Sequence, residues 1–343
     1  MSKNENIKIG ISVGDINGIG IEIILKAFAD KRMLEFCTPI IFASNKIISI
    51  HKKELNLETP IHGIVYPNQA IQGKLNLVNV WKEEVNVVFG KPSKMAGKYA
   101  LLSLEAASNA LINNEIDVLV TAPINKDNTQ ATNFNFPGQT EYLAKKFGDD
   151  EPLMMLITDE IKLGLITAHI PISKVSESIT PELIKKKVAI FHNSLIQDFG
   201  VTKPKIAILG LNPHCGDKGL IGNEDDEIVK PTITEIQNEG KFVYGPYSAD
   251  SFFGTKLYAK FDGVLAMYHD QGLAPFKALS FGRGVNFSAG INKIRTSPDH
   301  GTAYEIAGKG IAEETSFKEA LFTAIQIYNT RTEYLTLVEN RLE

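Results

Sequence analysis

The fold of this chain is indicated by the stretch IKIGISVGDINGIGIEIILKAFA, residues 7–29. Its first part, residues 7–13, is rich in isoleucine and valine and predicts a buried strand. The glycines of residues 14–20 predict a tight turn, and residues 21–29 predict an amphipathic helix. A strand that leads through a tight turn into a helix is the repeating unit of an α/β fold.

The same alternation continues along the chain, which predicts an α/β fold with a mostly parallel sheet. Thr180 followed by Pro181 predicts a helix start, because threonine caps a helix and proline fits its first turn. A length of 343 residues exceeds one ordinary core and predicts two lobes. Strands are predicted at residues 39–43, 117–121, 153–157, 163–168, 205–211 and 263–268, and helices at 96–113, 181–199, 228–238, 250–261 and 298–343.

The glycines of residues 14–20 do not form a dinucleotide fingerprint. Gly14, Gly18 and Gly20 do not have the G-x-G-x-x-G spacing, and no acidic residue ends a clear second strand. We therefore interpret this stretch as a strand-to-helix turn that needs no ligand.

Composition excludes several classes of protein. Hydrophobic residues make up 43% of the chain and the formal net charge is −4, which argues against disorder and against a nucleic-acid partner. Two cysteines exclude a disulfide scaffold and predict a reducing compartment. The first residues lack the apolar core of a signal peptide, and no apolar run is long enough for a membrane span. We expect a cytoplasmic protein without a membrane partner.

Three of the seven histidines follow predicted strands. His169 follows residues 163–168, His214 follows residues 205–211, and His269 follows residues 263–268. Ligands of parallel sheets bind beyond the carboxyl ends of strands, and three imidazoles leave an open position on a catalytic metal ion. Each histidine taken alone can be an ordinary polar residue at a strand end, but the three together predict a divalent metal site. Cys215 beside His214 is interpreted as a small loop residue rather than a thiolate ligand.

Three other stretches carry groups that suit an anion. Lysine, asparagine and arginine at positions 277, 286 and 295 can bind a phosphate or carboxylate, although composition alone favours ordinary surface residues. The stretch PGQTE, residues 137–141, predicts a glycine turn that opens a helix with Thr140 as its cap. The stretch SPDHGTA, residues 297–303, is predicted to introduce a further helix, a site suited to phosphate or adenosine.

Together these stretches resemble the 4-hydroxythreonine-4-phosphate dehydrogenase family of vitamin B6 biosynthesis. The matching motifs run through nearly the whole chain in the expected order. They are GIGIE (18–22), TAPINK (121–126), GQTE (138–141), AH (168–169), LNPHCGD (211–217), GPYSAD (245–250), YHDQG (268–272) and RTSPDHGTA (295–303).

The resemblance implies two α/β/α lobes like those of isocitrate and isopropylmalate dehydrogenases, with the active site in the cleft between lobes. We predict a first lobe of residues 1–126 and 296–343. Residues 127–295 form the predicted second lobe, with the metal ligands and the dimer interface. The resemblance also implies a homodimer with shared active sites, in which one metal ligand comes from the partner subunit.

The resemblance assigns a role to each candidate residue. The cofactor is NAD or NADP, with one divalent metal ion per site: zinc first, magnesium or cobalt as alternatives. Asp270 and Lys277 are the candidates for the general base. The metal ligands are His169, His214 and His269, the substrate-binding residues are Gln139, Thr140, Lys277, Asn286 and Arg295, and the cofactor-binding residues are His300, Gly301 and Thr302.

The implied reaction oxidises 4-phosphooxy-L-threonine to 2-amino-3-oxo-4-phosphooxybutanoate, which decarboxylates to 3-amino-2-oxopropyl phosphate. One residue departs from the family pattern, since Gln139 stands where the family often has histidine. Glutamine can donate a hydrogen bond but carries no charge near neutral pH. Two alternatives stay open: a dehydrogenase of 4-phospho-D-threonate or 4-phospho-D-erythronate, and a non-catalytic regulator that binds metal or phosphate.

Overall fold

The structure is a computed structural model that describes residues 6–130, 132, 134–148 and 152–340. The chain divides into two compact units. The first comprises Met1–Gly148 and Asn292–Tyr328, and the second comprises Asp149–Ile291 and Asn329–Glu343. The mixed α/β architecture and the mostly parallel strands confirm the predicted fold class.

The elements are numbered in chain order. The strands are β1 (Lys8–Ser12), β2 (Thr38–Ala43), β3 (His62–Ile64), β4 (Asn76–Asn79), β5 (Val118–Thr121), β6 (Leu153–Ile157), β7 (Lys162–Leu165), β8 (Lys205–Leu209), β9 (Phe242–Tyr247), β10 (Gly263–Ala266), β11 (Val285–Ala289) and β12 (Ile294–Pro298). The α-helices are α1 (Gly20–Ala27), α2 (Met33–Phe36), α3 (Asn45–Glu54), α4 (Lys94–Ile112), α5 (Lys126–Gln130), α6 (Gln139–Phe147), α7 (Val175–Ser178), α8 (Pro181–Gln197), α9 (Lys230–Asn238), α10 (Ala249–Gly254), α11 (His269–Ser280) and α12 (Thr315–Glu339).

The sheet of the first unit has the strand order β3-β4-β2-β1-β5-β12, and every neighbouring pair is parallel. Helix α4 covers this sheet because its stripe of Leu104, Ala107 and Leu111 packs against Phe42 and Leu119. The Ser93 hydroxyl accepts a hydrogen bond from Ala96 N at 3.1 Å and so starts α4. Because the strands are parallel, the loops that follow β1, β5 and β12 leave the sheet at one edge.

The sheet of the second unit has the order β11-β6-β7-β10-β8-β9. Strand β6 is antiparallel to both of its neighbours, and the four strands from β7 to β9 are parallel to one another. Helix α8 begins as predicted, because the Thr180 hydroxyl accepts a hydrogen bond from Leu183 N at 3.2 Å and Pro181 occupies the first turn. The order β7-β10-β8 places the ends of the three strands that lead to the candidate histidines beside one another.

Two predicted helices were wrong in part. Residues 299–314 are not helical: Ala303, Gly308 and Gly310 have φ of 45°, 79° and 70°, which a right-handed helix does not admit. Residues 250–261 are not one helix either, because α10 ends at Gly254 and Lys256 has φ of 56°. The sequence analysis also missed β3, β4, β9, β11 and β12.

Residues 139–147, predicted to belong to the second lobe, cluster with the first unit. Leu143 of α6 is fully buried in the same apolar cluster as Leu104 and Leu119. At the other end, Arg331 lies in the second unit and donates a hydrogen bond to the buried carboxylate of Asp198 at 2.7 Å. Within the described ranges, no helix is long and apolar enough to cross a membrane.

Candidate active site

His169 and His269 follow the adjacent parallel strands β7 and β10. Backbone pairing continues past both strands, since Ile166 N donates to Ala266 O at 2.9 Å and Thr167 N donates to Met267 O at 3.1 Å. The Thr167 hydroxyl also donates to Met267 O, at 2.7 Å. Because the two segments pair in this register, His169 and His269 lie next to each other.

The two imidazole rings lie with their centroids 5.9 Å apart and their planes inclined by 44°. His269 Nδ1 lies 2.7 Å from a carboxylate oxygen of Asp270. A carboxylate only accepts hydrogen bonds, so Nδ1 carries the proton and the lone pair of Nε2 is left for a ligand. The sequence analysis did not identify this orienting contact of Asp270.

The pair fits a divalent metal ion. Two imidazoles that bind one zinc ion through bonds of about 2.0–2.1 Å hold their ring centroids roughly 5–6 Å apart. Both rings line a cavity of about 240 Å³, whose other walls are largely apolar. The cavity is lined by Ala168, His169, Ile170, Ile172, Val175, Tyr268, His269 and Asp270.

His214 is exposed at the carboxyl end of β8, on a short turn with left-handed backbone. In the part of the chain that the structure describes, no group of three His, Cys, Asp or Glu side chains could hold a metal ion. The structure therefore brings two of the three candidate ligands together within one chain, but not the third. Burial raises the pKa of the Cys215 thiol to about 11, so this side chain stays protonated at neutral pH.

Arg295 lies at the centre of the anion cluster of the first unit. It is only 3% exposed, and its guanidinium donates to Thr121 Oγ1 at 2.6 and 3.0 Å and to Thr140 Oγ1 at 3.2 Å. Burial lowers the pKa of Arg295 to about 10, while the nearby Glu141 carboxylate acts to raise it. The guanidinium is therefore charged at neutral pH, and the Glu141 carboxylate is a negative charge close to it.

Helix α6 brings Gln139 and Thr140 to this cluster. The helix begins after Gly138, whose backbone is extended, and Thr140 is not its cap as predicted but lies in the first turn, where it contacts Arg295. Gln139 is 9% exposed, and its amide nitrogen donates to Ala122 O at 3.2 Å. Among the described residues its Oε1 atom has no hydrogen-bond partner, so it can accept a hydrogen bond from a ligand.

Lys277 and Asn286 belong to the second unit. Lys277 is exposed on α11, and Asn286 is half-buried on β11, where it pairs with Leu156 of β6. Within the described ranges, Asn286 Oδ1 is a buried atom without a hydrogen-bond partner. The Oδ1 atom of Asn286 can therefore accept a hydrogen bond from a ligand.

The stretch with His300, Gly301 and Thr302 follows β12 in the first unit and is a loop, not the predicted helix start. His300 Nδ1 lies 3.0 Å from Gly301 O, and Thr302 O accepts a hydrogen bond from Ile19 N at 3.1 Å. Gly18 lies so close that a Cβ there would meet Thr302 O at 2.9 Å. The glycine turn after β1 thus supports this loop.

A buried polar network that the sequence analysis missed joins the same two segments. The Asp15 carboxylate accepts hydrogen bonds from Tyr304 Oη at 2.8 Å, Asn128 Nδ2 at 2.9 Å and Asn17 N at 2.9 Å. Burial and the contact with Asp15 raise the pKa of the Tyr304 hydroxyl above its usual range. No motif links Asp15 with Tyr304, because they are 289 positions apart.

Comparison with known proteins identifies the class to which this fold and site belong. Residues 35–324 match the model of the family described as pyridoxal phosphate biosynthetic protein PdxA. The chain belongs to this family.

Relatives and solved structures agree with that assignment. The chain is 49% identical to a 4-hydroxythreonine-4-phosphate dehydrogenase from Bacteroides thetaiotaomicron, over 96% of this chain and 91% of the relative. It is 36% identical to a D-threonate 4-phosphate dehydrogenase from Cupriavidus necator, over 94% and 98%. The crystal structure of a 4-hydroxythreonine-4-phosphate dehydrogenase from Klebsiella pneumoniae superposes with a TM-score of 0.82 at 29% identity, over 96% of this chain and 99% of that one.

Proposed function

We propose that this protein is a 4-hydroxythreonine-4-phosphate dehydrogenase that depends on NAD or NADP and on a divalent metal ion. It oxidises the hydroxyl carbon of 4-phosphooxy-L-threonine: hydride passes to the nicotinamide, and the hydroxyl proton leaves to a base. The product, 2-amino-3-oxo-4-phosphooxybutanoate, is a β-keto acid that loses carbon dioxide to give 3-amino-2-oxopropyl phosphate. The relatives named for this reaction support the proposal.

The observation that carries the proposal is the pair of imidazoles of His169 and His269, together with the contact between Asp270 and His269. Asp270 fixes the tautomer of His269, and apolar side chains line the same cavity as the two imidazoles. When bound there, a divalent ion lowers the pKa of the substrate hydroxyl and polarises the carbonyl of the keto acid. Because Asp270 is engaged in orienting His269, Lys277 is the better candidate for the base.

Two sets of substrate-binding residues are proposed, one within each unit, and the phosphate is assigned to the set of the first unit. In the first unit Arg295 supplies a fixed positive charge, and Thr121 and Thr140 hold its planar group in place. In the second unit Lys277 and Asn286 supply further polar groups. The unpaired Oε1 of Gln139 can accept a hydrogen bond from the substrate ammonium or hydroxyl group.

We assign the cofactor to the loop of His300, Gly301 and Thr302. The turn at Gly18 supports this loop through Ile19 N, so a cofactor can bind without a Rossmann glycine motif.

We further propose a homodimer in which His214 of one subunit completes the metal site formed by His169 and His269 of the other. The separation of His214 from that pair within one chain fits this arrangement. The exposure of His214 leaves its imidazole accessible to a second subunit.

The proposal is tested by following the reduction of NAD and of NADP with 4-phosphooxy-L-threonine in the presence of zinc, magnesium or cobalt. We expect turnover that a chelator abolishes and that is lost in His169→Ala. A matched control is His62→Ala, which changes a half-exposed histidine of the first unit. Full activity after exhaustive chelation would refute the metal-dependent mechanism, and no reduction with any phosphorylated hydroxy acid would favour a non-catalytic regulator.

A second candidate function is the oxidation of 4-phospho-D-threonate, or of 4-phospho-D-erythronate. Two observations favour including it: a relative at 36% identity is named D-threonate 4-phosphate dehydrogenase, and Gln139 replaces the histidine that is common in the family. The same assay with all three substrates separates the candidates by kcat/KM. A higher kcat/KM for either D-configured acid than for 4-phosphooxy-L-threonine would overturn our first choice.

A further inference from the structure

The turn that carries His214 has an unusual backbone. Residues with side chains avoid positive φ because Cβ then approaches the following carbonyl oxygen, so such conformations occur singly rather than in runs. Here a run of consecutive residues adopts it: His214 (51°), Cys215 (53°), Gly216 (80°), Asp217 (43°), Lys218 (57°) and Gly219 (90°).

The hydrogen bonds of the turn account for its conformation only in part. Cys215 N donates to Asn212 O and Ile221 N donates to Gly216 O, each at 3.0 Å, but other bonds are longer. Asp217 N donates to His214 O at 3.3 Å and Leu220 N donates to Asp217 O at 3.3 Å, which is at the long end of the normal range. The bond from Gly219 N to Gly216 O, at 3.0 Å, joins two glycines. The turn therefore needs support from outside.

Asp225 supplies that support at the start of the turn. Its side chain is fully buried, and its two oxygens accept hydrogen bonds from Leu211 N at 2.8 Å, Asn212 N at 2.9 Å and Asn212 Nδ2 at 3.1 Å. Gly210 leaves room for it, since a Cβ there would lie 3.1 Å from Asp225 Oδ1. A charged carboxylate that accepts two consecutive backbone N–H groups fixes the direction in which the chain enters Pro213 and His214.

Gln271 holds the chain just before the turn through two further hydrogen bonds. Its amide nitrogen donates to Gly210 O at 2.6 Å, and its amide oxygen accepts from Met267 N at 2.7 Å. Gln271 lies two positions after His269, so the end of β8 is tied to the segment that carries another candidate ligand. Asp225 and Gln271 together hold Gly210 and Asn212 between them.

We infer that Asp225 is a positioning residue that holds the left-handed turn in place and so orients His214 for metal binding. The inference rests on the proposed function, because it takes His214 to be a metal ligand. The contacts of Asp225 are with the backbone of Leu211 and Asn212 and with the Asn212 side chain, so it acts on His214 through these two residues. No other role of the buried carboxylate is needed to explain its contacts.

The test is a titration of the metal-free protein with Co²⁺, read from the visible spectrum that reports the geometry of the ligands. Asp225→Asn keeps the shape of the side chain but presents an N–H group to one of the two backbone donors. We expect its Kd for Co²⁺ to rise about 10- to 100-fold, as for other groups that orient metal ligands. The matched control is Asp226→Asn, which removes the neighbouring carboxylate that pairs with Lys230 on the surface and should leave Kd unchanged.

A rescue variant separates positioning from general loss of structure. Lys218 is exposed and has φ of 57°, a conformation that glycine adopts without strain. Adding Lys218→Gly to Asp225→Asn should return part of the lost Co²⁺ affinity. If Asp225→Asn alone does not fold, the double variant must still bind Co²⁺ more weakly than Lys218→Gly alone; equal affinity of these two would overturn the inference.

His214→Ala distinguishes failure of this inference from failure of the proposed function. If His214→Ala binds Co²⁺ as the wild type does, His214 is not a ligand and the proposed metal site is wrong. If His214→Ala loses Co²⁺ while Asp225→Asn binds it normally with an unchanged spectrum, only the positioning role of Asp225 is wrong.

Discussion

His51 is a buried base in the core of the first unit. Its Nε2 atom lies 2.9 Å from Ile16 O, its ring packs on Phe89 with centroids 4.7 Å apart, and burial lowers its pKa from 6.5 to about 4. The sequence analysis did not single out His51, because the sequence around a histidine on an amphipathic helix does not show whether its side chain is buried. Burial disfavours the charged imidazole, so His51 is neutral in the folded protein at neutral pH.

The pH dependence of stability follows from this residue. Between pH 6.5 and pH 4 the unfolded chain binds a proton at His51 that the folded protein does not, so stability falls as pH falls. From about pH 7 to about pH 5 this group should cost ~2 kcal/mol of unfolding free energy. Urea unfolding at both pH values should show a smaller loss in His51→Gln than in wild type, with the half-exposed His62→Gln as control. An equal loss in all three proteins would contradict the prediction.

Gln139 is a neutral side chain at a position where the family often has an ionisable one. Its amide nitrogen is bound to Ala122 O and its oxygen is unpaired within the described ranges. We expect Gln139→His to retain activity and to add an ionisation near about pH 6.5 to the profile of kcat/KM. Gln139→Asn, which is shorter but equally neutral, serves as control. Identical profiles for wild type and Gln139→His would show that this position does not contact the substrate.

At the scale of elements, the glycine turn after β1 shows what sequence analysis can and cannot provide. The strand, the turn and the helix were predicted, since hydrophobic periodicity and glycine are local signals. The function of the turn as a support for residues 300–304 was not, because the contacts of Ile19 with Thr302 and of Asp15 with Tyr304 join distant parts of the chain. The strand β12 was missed for a related reason, since its polar residues Arg295 and Thr296 are buried.

A prediction at this scale concerns Gly18. In Gly18→Ala the new Cβ would meet Thr302 O at 2.9 Å, so the loop of residues 300–304 must move. Such overpacking costs about 1–3 kcal/mol. If about 1.4 kcal/mol of it appears in cofactor binding, KM for NAD⁺ rises about tenfold while kcat changes little. The control is Gly63→Ala, where the added methyl group meets nothing within 4 Å. Unchanged KM with lowered kcat would argue against a cofactor role of the loop.

At the scale of the whole molecule, the three candidate ligands were predicted from one rule about strand ends. As the rule predicted, His169 and His269 lie close together, because β7 and β10 are parallel neighbours. The rule did not predict the position of His214. This residue lies in a turn of six residues with left-handed backbone, and no hydrophobic pattern in the sequence indicates such a turn. What the sequence analysis lacked is the geometry of the loops.

Mixing two inactive variants tests whether active sites are shared between subunits. If one subunit supplies His169 and His269 and the other supplies His214, a heterodimer of His169→Ala and His214→Ala has one intact site. Dissociation and random reassociation of equal amounts should restore about a quarter of wild-type activity. Either variant treated alone is the control. A mixture that stays inactive, with heterodimers verified by native mass spectrometry, would place the whole site in one chain.

The chain order of the two units has a consequence for biosynthesis. Residues 149–291 of the second unit are synthesised between the two segments of the first. During translation, the strand β5, which ends at Thr121, therefore cannot pair with its neighbour β12 until Arg295 has left the ribosome. Until then Thr121 lacks the guanidinium that it later binds, and one edge of the first sheet is open to wrong partners. The anion site is thus among the last parts of the protein to form during translation.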